Sequence, residues 1–277
     1  MRITSGWRVV IVFVAGVVLA AVTAGQSARP APVSGNGTLV DDLVVANRIL
    51  ANENILDGLG HVSARSLQHP DHFFMARDLA PGLVTANDLV EYDLDGKAVD
   101  AKAPTGVRER FIHASIYKAR PDVQSVVHSH MPSVLPFTDS SVALRPMYHM
   151  APFLLAGAPV WDIRTVPGQV GMLVDNNKAG ASLAQMLGNR TVALMRGHGA
   201  AIVGVTIPDA VSNAIFLDVN ARVQAQAIAL GGKISYLTPA DVEAGGVSPQ
   251  PAAPMGTPGY YPRSWPIWKA KAMGEKR

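Results

Sequence analysis

Two histidines, His128 and His130, stand one residue apart in the apolar stretch SVVHSHMPSVLPF, which runs over residues 125–137. The β-branched residues near its start favour a strand, in which side chains two positions apart point to the same face. The two imidazoles would then lie side by side, close enough to share a cation as half of a metal site. The alternative interpretation is that they are surface or core histidines satisfied by backbone carbonyls.

A third histidine and a carboxylate could complete such a site. His198 lies between two glycines in LMRGHGAAIVG, where the backbone can turn sharply and approach a ligand closely. Glu109 lies one turn before His113 on the predicted helix that precedes the His128 strand. Its carboxylate could reach the metal, act beside it as a general acid/base, or belong to a charged, solvated face. Three histidines with an open position are typical of a catalytic metal site rather than a closed structural one.

The elements that must position these residues follow from hydrophobic periodicity. Helices are predicted in TLVDDLVVANRILANENIL, RERFIHASIYKAR, NKAGASLAQMLG and IPDAVSNAIFLDVNARVQAQAIALGG. Strands are predicted in HFFMAR, DLVEYDLDGKAV, VQSVVHSH, APVWDIR and TVALMRGHGAAIVG, while GLGHVSARS is a loop or a short strand. Because helices and strands mix without strict β-α-β alternation, we expect an α/β fold, a three-layer α/β/α sandwich with a central, mainly antiparallel sheet.

The composition excludes several classes of protein. The chain has 277 residues, 48% of them hydrophobic and 16% charged, as in an ordinary globular protein. Its net charge is only +3, and no central Lys/Arg stripe with interleaved aromatic residues is present, which argues against a nucleic-acid partner. The chain has no cysteine, so only histidine and carboxylate side chains remain as metal ligands.

The two ends of the chain differ from its middle. Residues 1–25 predict a signal peptide that exports the protein to the periplasm or the medium, with an uncleaved membrane anchor as the alternative. Residues 26–38 are predicted to form a linker, and residues 39–237 are predicted to form the functional domain. Residues 238–277 form a Pro/Gly-rich, aromatic tail, which we expect to be extended. The tail could clasp a neighbouring subunit or pack on its own domain.

Three motifs occur in a characteristic order: GHVSAR, ERFIHASIYKARPDVQSVVHSH and RGHG. With this order and spacing, the chain from about residue 39 to residue 232 resembles the class II aldolase/adducin family. The resemblance implies the class II aldolase fold, a divalent metal ion held by His128, His130 and His198, and Glu109 as the catalytic acid/base. Zinc is the first expectation for the metal, with manganese, iron and cobalt as alternatives. The resemblance also implies a homo-oligomer, specifically a tetramer.

Within this family the chain looks like the decarboxylases of dihydroxyphthalate and 2-hydroxy-3-carboxymuconic semialdehyde. It departs from the sugar-phosphate aldolases and epimerases at His61, where those enzymes usually have Asn, and PTGVR replaces their Ser-Ser pair. The expected substrate is a small-molecule carboxylate, either a hydroxylated aromatic, a muconic-type or a β-keto acid, which loses CO2 through a metal-stabilised enolate. A sugar-phosphate aldolase or epimerase, and a non-catalytic adducin-like module, are the alternatives.

Five residues are candidates for substrate binding: His61, Ser63, Arg65, Arg77 and His149. An imidazole at His61 is a possible cation or proton donor where an amide would be neutral. Arg65 and Arg77 could clamp a carboxylate with two hydrogen bonds, or could be surface arginines. Ser63 could bind the substrate or cap its loop. His149 could line the pocket or be a buried histidine satisfied by backbone.

Overall fold

The computed structural model of the chain describes residues 37–244 and 263–275. Within these ranges the α-helices are α1 (Gly37–Asn52), α2 (Arg110–Ala119), α3 (Leu135–Thr138), α4 (Asn177–Leu187), α5 (Ile207–Leu230), α6 (Pro239–Ala244) and α7 (Trp265–Met273). The strands are β1 (His61–Arg65), β2 (His72–Ala76), β3 (Leu89–Asp93), β4 (Ser125–Ser129), β5 (Val160–Trp161), β6 (Val192–Met195) and β7 (Gly199–Gly204). The predicted signal peptide lies outside the described residues and stays a prediction.

The described strands form one sheet in the order β3-β2-β1-β4-β7-β6-β5. Every neighbouring pair is antiparallel except β5 with β6, so the predicted mainly antiparallel sheet is confirmed. The strand β1, which the sequence left open as a loop or a strand, lies near the centre of the sheet. There His61 is the direct partner of His128 on β4.

Helices cover both faces of the sheet, which confirms the predicted three-layer sandwich. Buried residues of α1 and α5 pack with Val62 and Val127 on one face. Buried residues of α2 and α4 pack with Phe73 and Val126 on the other. Successive side chains of β4 point to opposite faces, so Val126 and Val127 belong to different cores.

The longest described helix, α5, begins and ends where the sequence predicts. The Thr206 side chain accepts a hydrogen bond from the Asp209 N–H at its start, and Pro208 lies in its first turn. Gly231, with a φ of 73°, ends the helix in a conformation that favours glycine. Among the described residues, no helix combines the length and the hydropathy that crossing a membrane requires.

The C-terminal segment departs from the extended tail expected from its composition. Residues Trp265–Met273 form α7, and Trp265 is buried in the core beneath α1 and α5. The Trp268 ring lies 5.9 Å from the Phe216 ring, and Lys271 pairs at 2.7 Å with Glu53, the residue that follows α1. The expectation of an extended chain is therefore wrong for this segment, because burial of Trp265 and partial burial of Trp268 stabilise a helix against its own domain.

Candidate metal centre

Four predicted residues come together at one end of the sheet: Glu109, His128, His130 and His198. One ligand atom from each residue lies within 4.8 Å of the ligand atoms of the other three. We refer to these residues as the four-residue cluster. His128 and Glu109 are buried, whereas the side chains of His130 and His198 are 19% and 10% exposed. The cluster therefore opens to solvent on the side of His130 and His198.

The strand β4 positions the first two histidines as their spacing predicts. His128 is the fourth residue of β4, between β1 and β7, and His130 follows the end of the strand. The two ring centroids are 4.8 Å apart, and the two Nε2 atoms are 3.1 Å apart. The same-face prediction from residues two positions apart is confirmed.

His198 reaches the cluster from the tight turn between β6 and β7. The flanking Gly197 has a φ of 60°, in the left-handed region that favours glycine. A Cβ atom at Gly199 would overlap the carbonyl oxygen of Ser129, so only glycine allows this turn to approach the end of β4. The His198 ring consequently lies 4.9 Å from the His128 ring and 5.1 Å from the His130 ring.

Glu109 immediately precedes α2 and supplies the carboxylate of the cluster. Its Oε1 atom accepts a hydrogen bond from the Val174 N–H at 3.0 Å. Its Oε2 atom lies 3.5 Å from Nε2 of His128 and 3.6 Å from Nε2 of His198. Burial by itself would raise the pKa of Glu109, but hydrogen bonds and charge from the two facing imidazoles, when these rings are protonated, hold it well below its usual value. A positive charge at the centre of the cluster therefore keeps the carboxyl group ionised.

The hydrogen-bond partners of His128 and His130 indicate which ring nitrogens carry hydrogens, and therefore what the cluster can bind. Nδ1 of His128 lies 3.1 Å from the Ala200 carbonyl oxygen, and Nδ1 of His130 lies 3.1 Å from the Asp57 carboxylate. Because both partners can only accept, each ring donates from Nδ1 and, when neutral, carries a lone pair on Nε2. Burial lowers the pKa of His128, which favours its neutral form.

Two lone pairs that face each other at 3.1 Å repel unless they share a cation. Two nitrogen ligands of one tetrahedral zinc ion, each about 2.0–2.1 Å from the metal, are themselves about 3.3 Å apart. The spacing of the two Nε2 atoms and the donor set of three imidazoles and a carboxylate therefore fit a divalent metal ion.

Asp57 contacts the four-residue cluster, although sequence reasoning did not single it out. Its Oδ1 atom accepts hydrogen bonds from the N–H groups of Leu59 and Gly60, and its carboxylate holds Nδ1 of His130. Partial burial opposes ionisation, but these two N–H groups and the His130 ring lower the pKa of Asp57. The signal in the sequence is DGLG, an Asp followed two and three residues later by its backbone donors, which is typical of an Asx turn.

His61 and Ser63 lie beside the cluster on β1, although neither is a member of it. The His61 ring is 5.0 Å from the His128 ring, and its Nδ1 lies 2.7 Å from Nε2 of His113. Ser63 Oγ lies 2.6 Å from Nδ1 of His113 and 2.8 Å from the Tyr117 hydroxyl. Ser63 is fully buried, and it is connected to His61 through His113. Sequence reasoning assigned no role to His113 or Tyr117.

Arg65 differs from its expected role as a carboxylate clamp. It lies four residues from His61 along β1, which is about 13 Å in a strand. Its buried guanidinium group donates hydrogen bonds to backbone carbonyl oxygens, those of Pro70, Tyr117, Arg120 and Val123. Arg65 therefore holds the loops at the opposite end of the strand, and we withdraw it as a substrate ligand.

Arg77 and His149 are not members of the four-residue cluster. Nε of Arg77 donates to the Asp88 carboxylate at 2.8 Å, so its guanidinium group already has an anionic partner. His149 is exposed and packs edge-on against Tyr148, with the ring centroids 4.9 Å apart. The alternative of a buried, backbone-satisfied His149 is therefore wrong. Their contact with a substrate stays a prediction.

Comparisons with known proteins agree with this fold. The sequence pattern of the family described as Class II Aldolase and Adducin N-terminal domain matches residues 41–225. Decarboxylase tropJ of Talaromyces stipitatus is 43% identical over 195 residues, which cover 66% of this chain and 73% of that protein. The 3,4-dihydroxyphthalate decarboxylase of Arthrobacter keyseri is 29% identical over 215 residues, 72% of this chain and 83% of that protein.

A solved structure gives the same result at the level of the fold. The L-fuculose 1-phosphate aldolase from Glaciozyma antarctica PI12 superposes with a TM-score of 0.62 and 25% sequence identity, over 78% of this chain and 84% of that one. The decarboxylase and aldolase relatives support a lyase role. The match over most of the described domain shows that the chain belongs to the class II aldolase and adducin family.

Proposed function

We propose that this protein is a metal-dependent carbon–carbon lyase that removes CO2 from a hydroxylated aromatic, muconic-type or β-keto carboxylate. The two relatives named as decarboxylases support the reaction. The single observation that carries metal dependence is the contact of 3.1 Å between Nε2 of His128 and Nε2 of His130, with both Nδ1 atoms committed elsewhere. The decarboxylase relatives and His61 support a carboxylate substrate.

The proposed metal ligands are His128, His130 and His198, with zinc as the first choice and manganese, iron or cobalt as alternatives. When bound, a divalent ion supplies Lewis acidity that stabilises negative charge on substrate oxygens as a carbon–carbon bond breaks. Substrate oxygens would approach from the side where His130 and His198 retain exposure. Asp57 orients the His130 ring through Nδ1, as carboxylates commonly do for metal-binding histidines.

Glu109 is the proposed acid/base. Its Oε1 atom is occupied by the Val174 N–H, so Oε2, on the side of the histidines, is the atom that can carry a proton. As an ionised base, Oε2 would accept the proton of a substrate hydroxyl before the bond to the carboxylate carbon breaks. The electron pair of that bond stays on the substrate, CO2 departs, and Oε2 returns the proton to the carbon. The substrate oxygen then regains its proton from solvent.

His61 is the residue that we retain for direct contact with the substrate. Its ring lies 5.0 Å from that of His128, and its Nε2 atom has no hydrogen-bond partner within the described part of the chain. A carboxylate oxygen of the substrate would accept from this nitrogen if the nitrogen carries a hydrogen. Ser63 contributes through His113 rather than by touching the substrate.

Measurement of CO2 release tests the proposal. The purified protein is loaded separately with Zn²⁺ and Mn²⁺ and incubated with hydroxybenzoic, dihydroxyphthalic and β-keto acids, with ketose and aldose phosphates in parallel. We expect CO2 release that requires metal and is abolished by a chelator. Release of CO2 that survives complete removal of metal would overturn metal dependence.

The sugar-phosphate aldolase is the second candidate function, because the L-fuculose 1-phosphate aldolase shares this fold at 25% identity. In the same assay a sugar-phosphate aldolase should release aldehyde from the sugar phosphates alone and no CO2 from the carboxylic acids. An adducin-like module without catalysis predicts neither product. The four-residue cluster disfavours that module, because a purely structural domain has no need of an open metal site.

Assembly and localisation are further parts of the proposal. We propose a homotetramer, by resemblance to the family, and light scattering of the purified protein should give four times the chain mass of 29.2 kDa if the signal is retained. We also propose export by residues 1–25. Recovery of a processed chain from the periplasm, with its N-terminus near residue 25, is the expected result. A full-length chain held in the membrane fraction would favour the uncleaved anchor.

A further inference from the structure

Four buried polar side chains form one continuous set of hydrogen bonds beneath the metal centre. His61 and Ser63 come from β1, and His113 and Tyr117 come from consecutive turns of α2. The contacts run from His61 Nδ1 to His113 Nε2 at 2.7 Å, from His113 Nδ1 to Ser63 Oγ at 2.6 Å, and from Ser63 Oγ to the Tyr117 hydroxyl at 2.8 Å. We call this set the His61 network.

The His61 network ends in a polar atom without a partner. The side chains of the network are at most 3% exposed, and Nε2 of His61 makes no hydrogen bond to any described residue. Leaving such an atom unpaired costs about 1–3 kcal/mol, which is unusual in a structure that pairs the other nitrogens of the network. This end of the network belongs to the ring that packs against His128 of the four-residue cluster.

The network can be polarised in two directions, because each neutral imidazole has one hydrogen and one lone pair. In the first direction Tyr117 donates to Ser63, Ser63 donates to Nδ1 of His113, and Nε2 of His113 donates to Nδ1 of His61. The hydrogen of His61 then lies on Nε2. In the opposite direction every donor is reversed, and the hydrogen of His61 lies on Nδ1.

The Tyr117 hydroxyl separates the two directions. In the first, its hydrogen is accepted by Ser63 Oγ at 2.8 Å. In the second, that hydrogen has no acceptor among the hydrogen bonds of the described residues, although Tyr117 is only 1% exposed. Because a buried donor without an acceptor is costly, the first direction is the stable one.

We propose that Ser63 and His113 are positioning residues that hold His61 as a neutral imidazole with its hydrogen on Nε2, so that His61 donates a hydrogen bond to the carboxylate of the substrate. This inference rests on the proposed decarboxylation. It makes Nε2 of His61 the donor, and the substrate carboxylate the acceptor, of one hydrogen bond at that site. It also excludes His61 as a metal ligand or a base, because the lone pair of the ring on Nδ1 is occupied by His113.

A neutral donor suits the departure of CO2. The carboxylate carries a negative charge in the bound substrate and loses that charge as it becomes CO2. A cationic partner would stabilise the bound carboxylate more than the transition state, and it would therefore slow the reaction. A neutral N–H orients the carboxylate through one hydrogen bond and opposes its departure less.

Nuclear magnetic resonance of the metal-free, full-length protein tests the tautomer without any substrate. Long-range ¹H–¹⁵N correlations of ¹⁵N-histidine protein distinguish the two tautomers, and the His61→Gln variant assigns the His61 signal. We expect the hydrogen on Nε2 of both His61 and His113. A hydrogen on Nδ1 of His61 would overturn the inference, whether or not the protein releases CO2.

Two variants of the network provide matched perturbations. In Ser63→Ala both directions leave an unpaired atom on His113, so we expect a mixture of tautomers at His61 and a fall in kcat/KM of about 10-fold to 100-fold. In Tyr117→Phe the Ser63 hydroxyl still finds His113 as its acceptor, so the Nε2–H tautomer should persist. A single unchanged tautomer in Ser63→Ala, with native circular dichroism, would show that the network does not control His61.

A substitution of His61 itself separates donation from packing. Gln keeps an N–H donor whereas Leu keeps only volume, so His61→Leu should lose about 100-fold in kcat, a loss typical of removing one donor, and His61→Gln should lose less. Equal losses in both variants would contradict donation. If neither wild type nor variant releases CO2, the proposed function fails while the tautomer measurement still decides the inference.

Discussion

The His128–His130 pair and the His61–His113 pair are both short contacts between ring nitrogens, 3.1 Å and 2.7 Å long. They differ in where their hydrogens are. In the first pair a backbone carbonyl and the Asp57 carboxylate each take an Nδ1 hydrogen, so two lone pairs face each other. In the second pair one ring donates and the other accepts, so the contact is complete without a further group.

This difference shows that each ring has one nitrogen inside the pair and one outside it. The hydrogen-bond partner of the outside nitrogen decides whether the inside nitrogen donates or accepts. Both pairs join two imidazole rings, and His61 of the second pair lies opposite His128 of the first on neighbouring strands. Acceptors beyond the first pair leave both Nε2 lone pairs able to bind a cation. The hydroxyl of Ser63 beyond the second pair makes it a directed hydrogen-bond relay.

The largest effect is expected from breaking the first pair. His128→Ala removes one of the two facing lone pairs and one of three imidazole ligands, so we expect loss of bound metal and a fall in CO2 release of more than about 1,000-fold. Metal per chain is measured by mass spectrometry after dialysis. His69→Ala, which removes an exposed histidine outside the cluster, is the matched control. Unchanged metal content and turnover in His128→Ala would contradict the metal centre.

Glu109→Gln separates metal binding from proton transfer. The three imidazoles are kept, so the metal should remain, whereas kcat should fall by about 100-fold to 10,000-fold because an amide cannot exchange a proton. Glu91→Gln is the matched control, since Glu91 faces His72 at 3.0 Å on the partly exposed edge of the sheet. A kcat for Glu109→Gln within a few-fold of wild type would remove Glu109 from the reaction.

Asp57→Asn tests whether the carboxylate that accepts from Nδ1 of His130 controls metal binding by the His128–His130 pair. The amide oxygen can still accept from the backbone, but the negative charge behind His130 is lost. Metal affinity should therefore fall by about 10-fold to 100-fold in a competition with a chelator. Asp95→Asn, which breaks an exposed ion pair with Lys118, should leave the affinity unchanged. Equal affinities in both variants would assign Asp57 to the turn alone.

The smallest effect is expected for the His61–His113 pair, and it concerns how the free energy of unfolding depends on pH. Burial, and then the nearby His128, lower the pKa of His113 from 6.5 to about 3, so the folded state keeps this ring neutral. Between these values the unfolded state binds one more proton, so the free energy of unfolding falls as the pH is lowered. From pH 6.5 to pH 5 the loss is about 2 kcal/mol for one such group.

Urea unfolding of the metal-free protein at several pH values measures this slope. His113→Gln should lower stability at pH 7 but show a flatter dependence on pH, because the group that titrates in the unfolded state is gone. The burial of His61, whose pKa is also lowered well below 6.5, adds to the slope that remains. Parallel curves for the variant and the wild type would contradict a neutral, buried His113.

Much of the metal centre was predictable because its signals are local. The side-chain period of two in a β-branched strand placed His128 and His130 on one face, and the glycines around His198 predicted a tight turn. The periodicity of the helices and strands and the lack of β-α-β alternation predicted the sandwich. The choice of Glu109 came from the family motif, because the letters RER by themselves also fit a solvated helix face.

Other features depended on which strands and helices become neighbours. His113 and Tyr117 have ordinary helix spacing, and their contact with His61 and Ser63 exists only because α2 packs on β1. Arg65 is the opposite case, because it is close to His61 in sequence but does not contact the cluster. Its guanidinium group donates instead to backbone carbonyls at the other end of β1.

The sequence by itself determined the ligand types, their pairing on β4, the turn at His198 and the class of fold, because each depends on residues close together in the chain. Only the tertiary structure decided which nitrogen of each ring is free, which carboxylate stands behind His130, and that residues 265–273 form a helix against α1. Hydrogen bonds and burial between distant segments set these properties, and no local pattern specifies them.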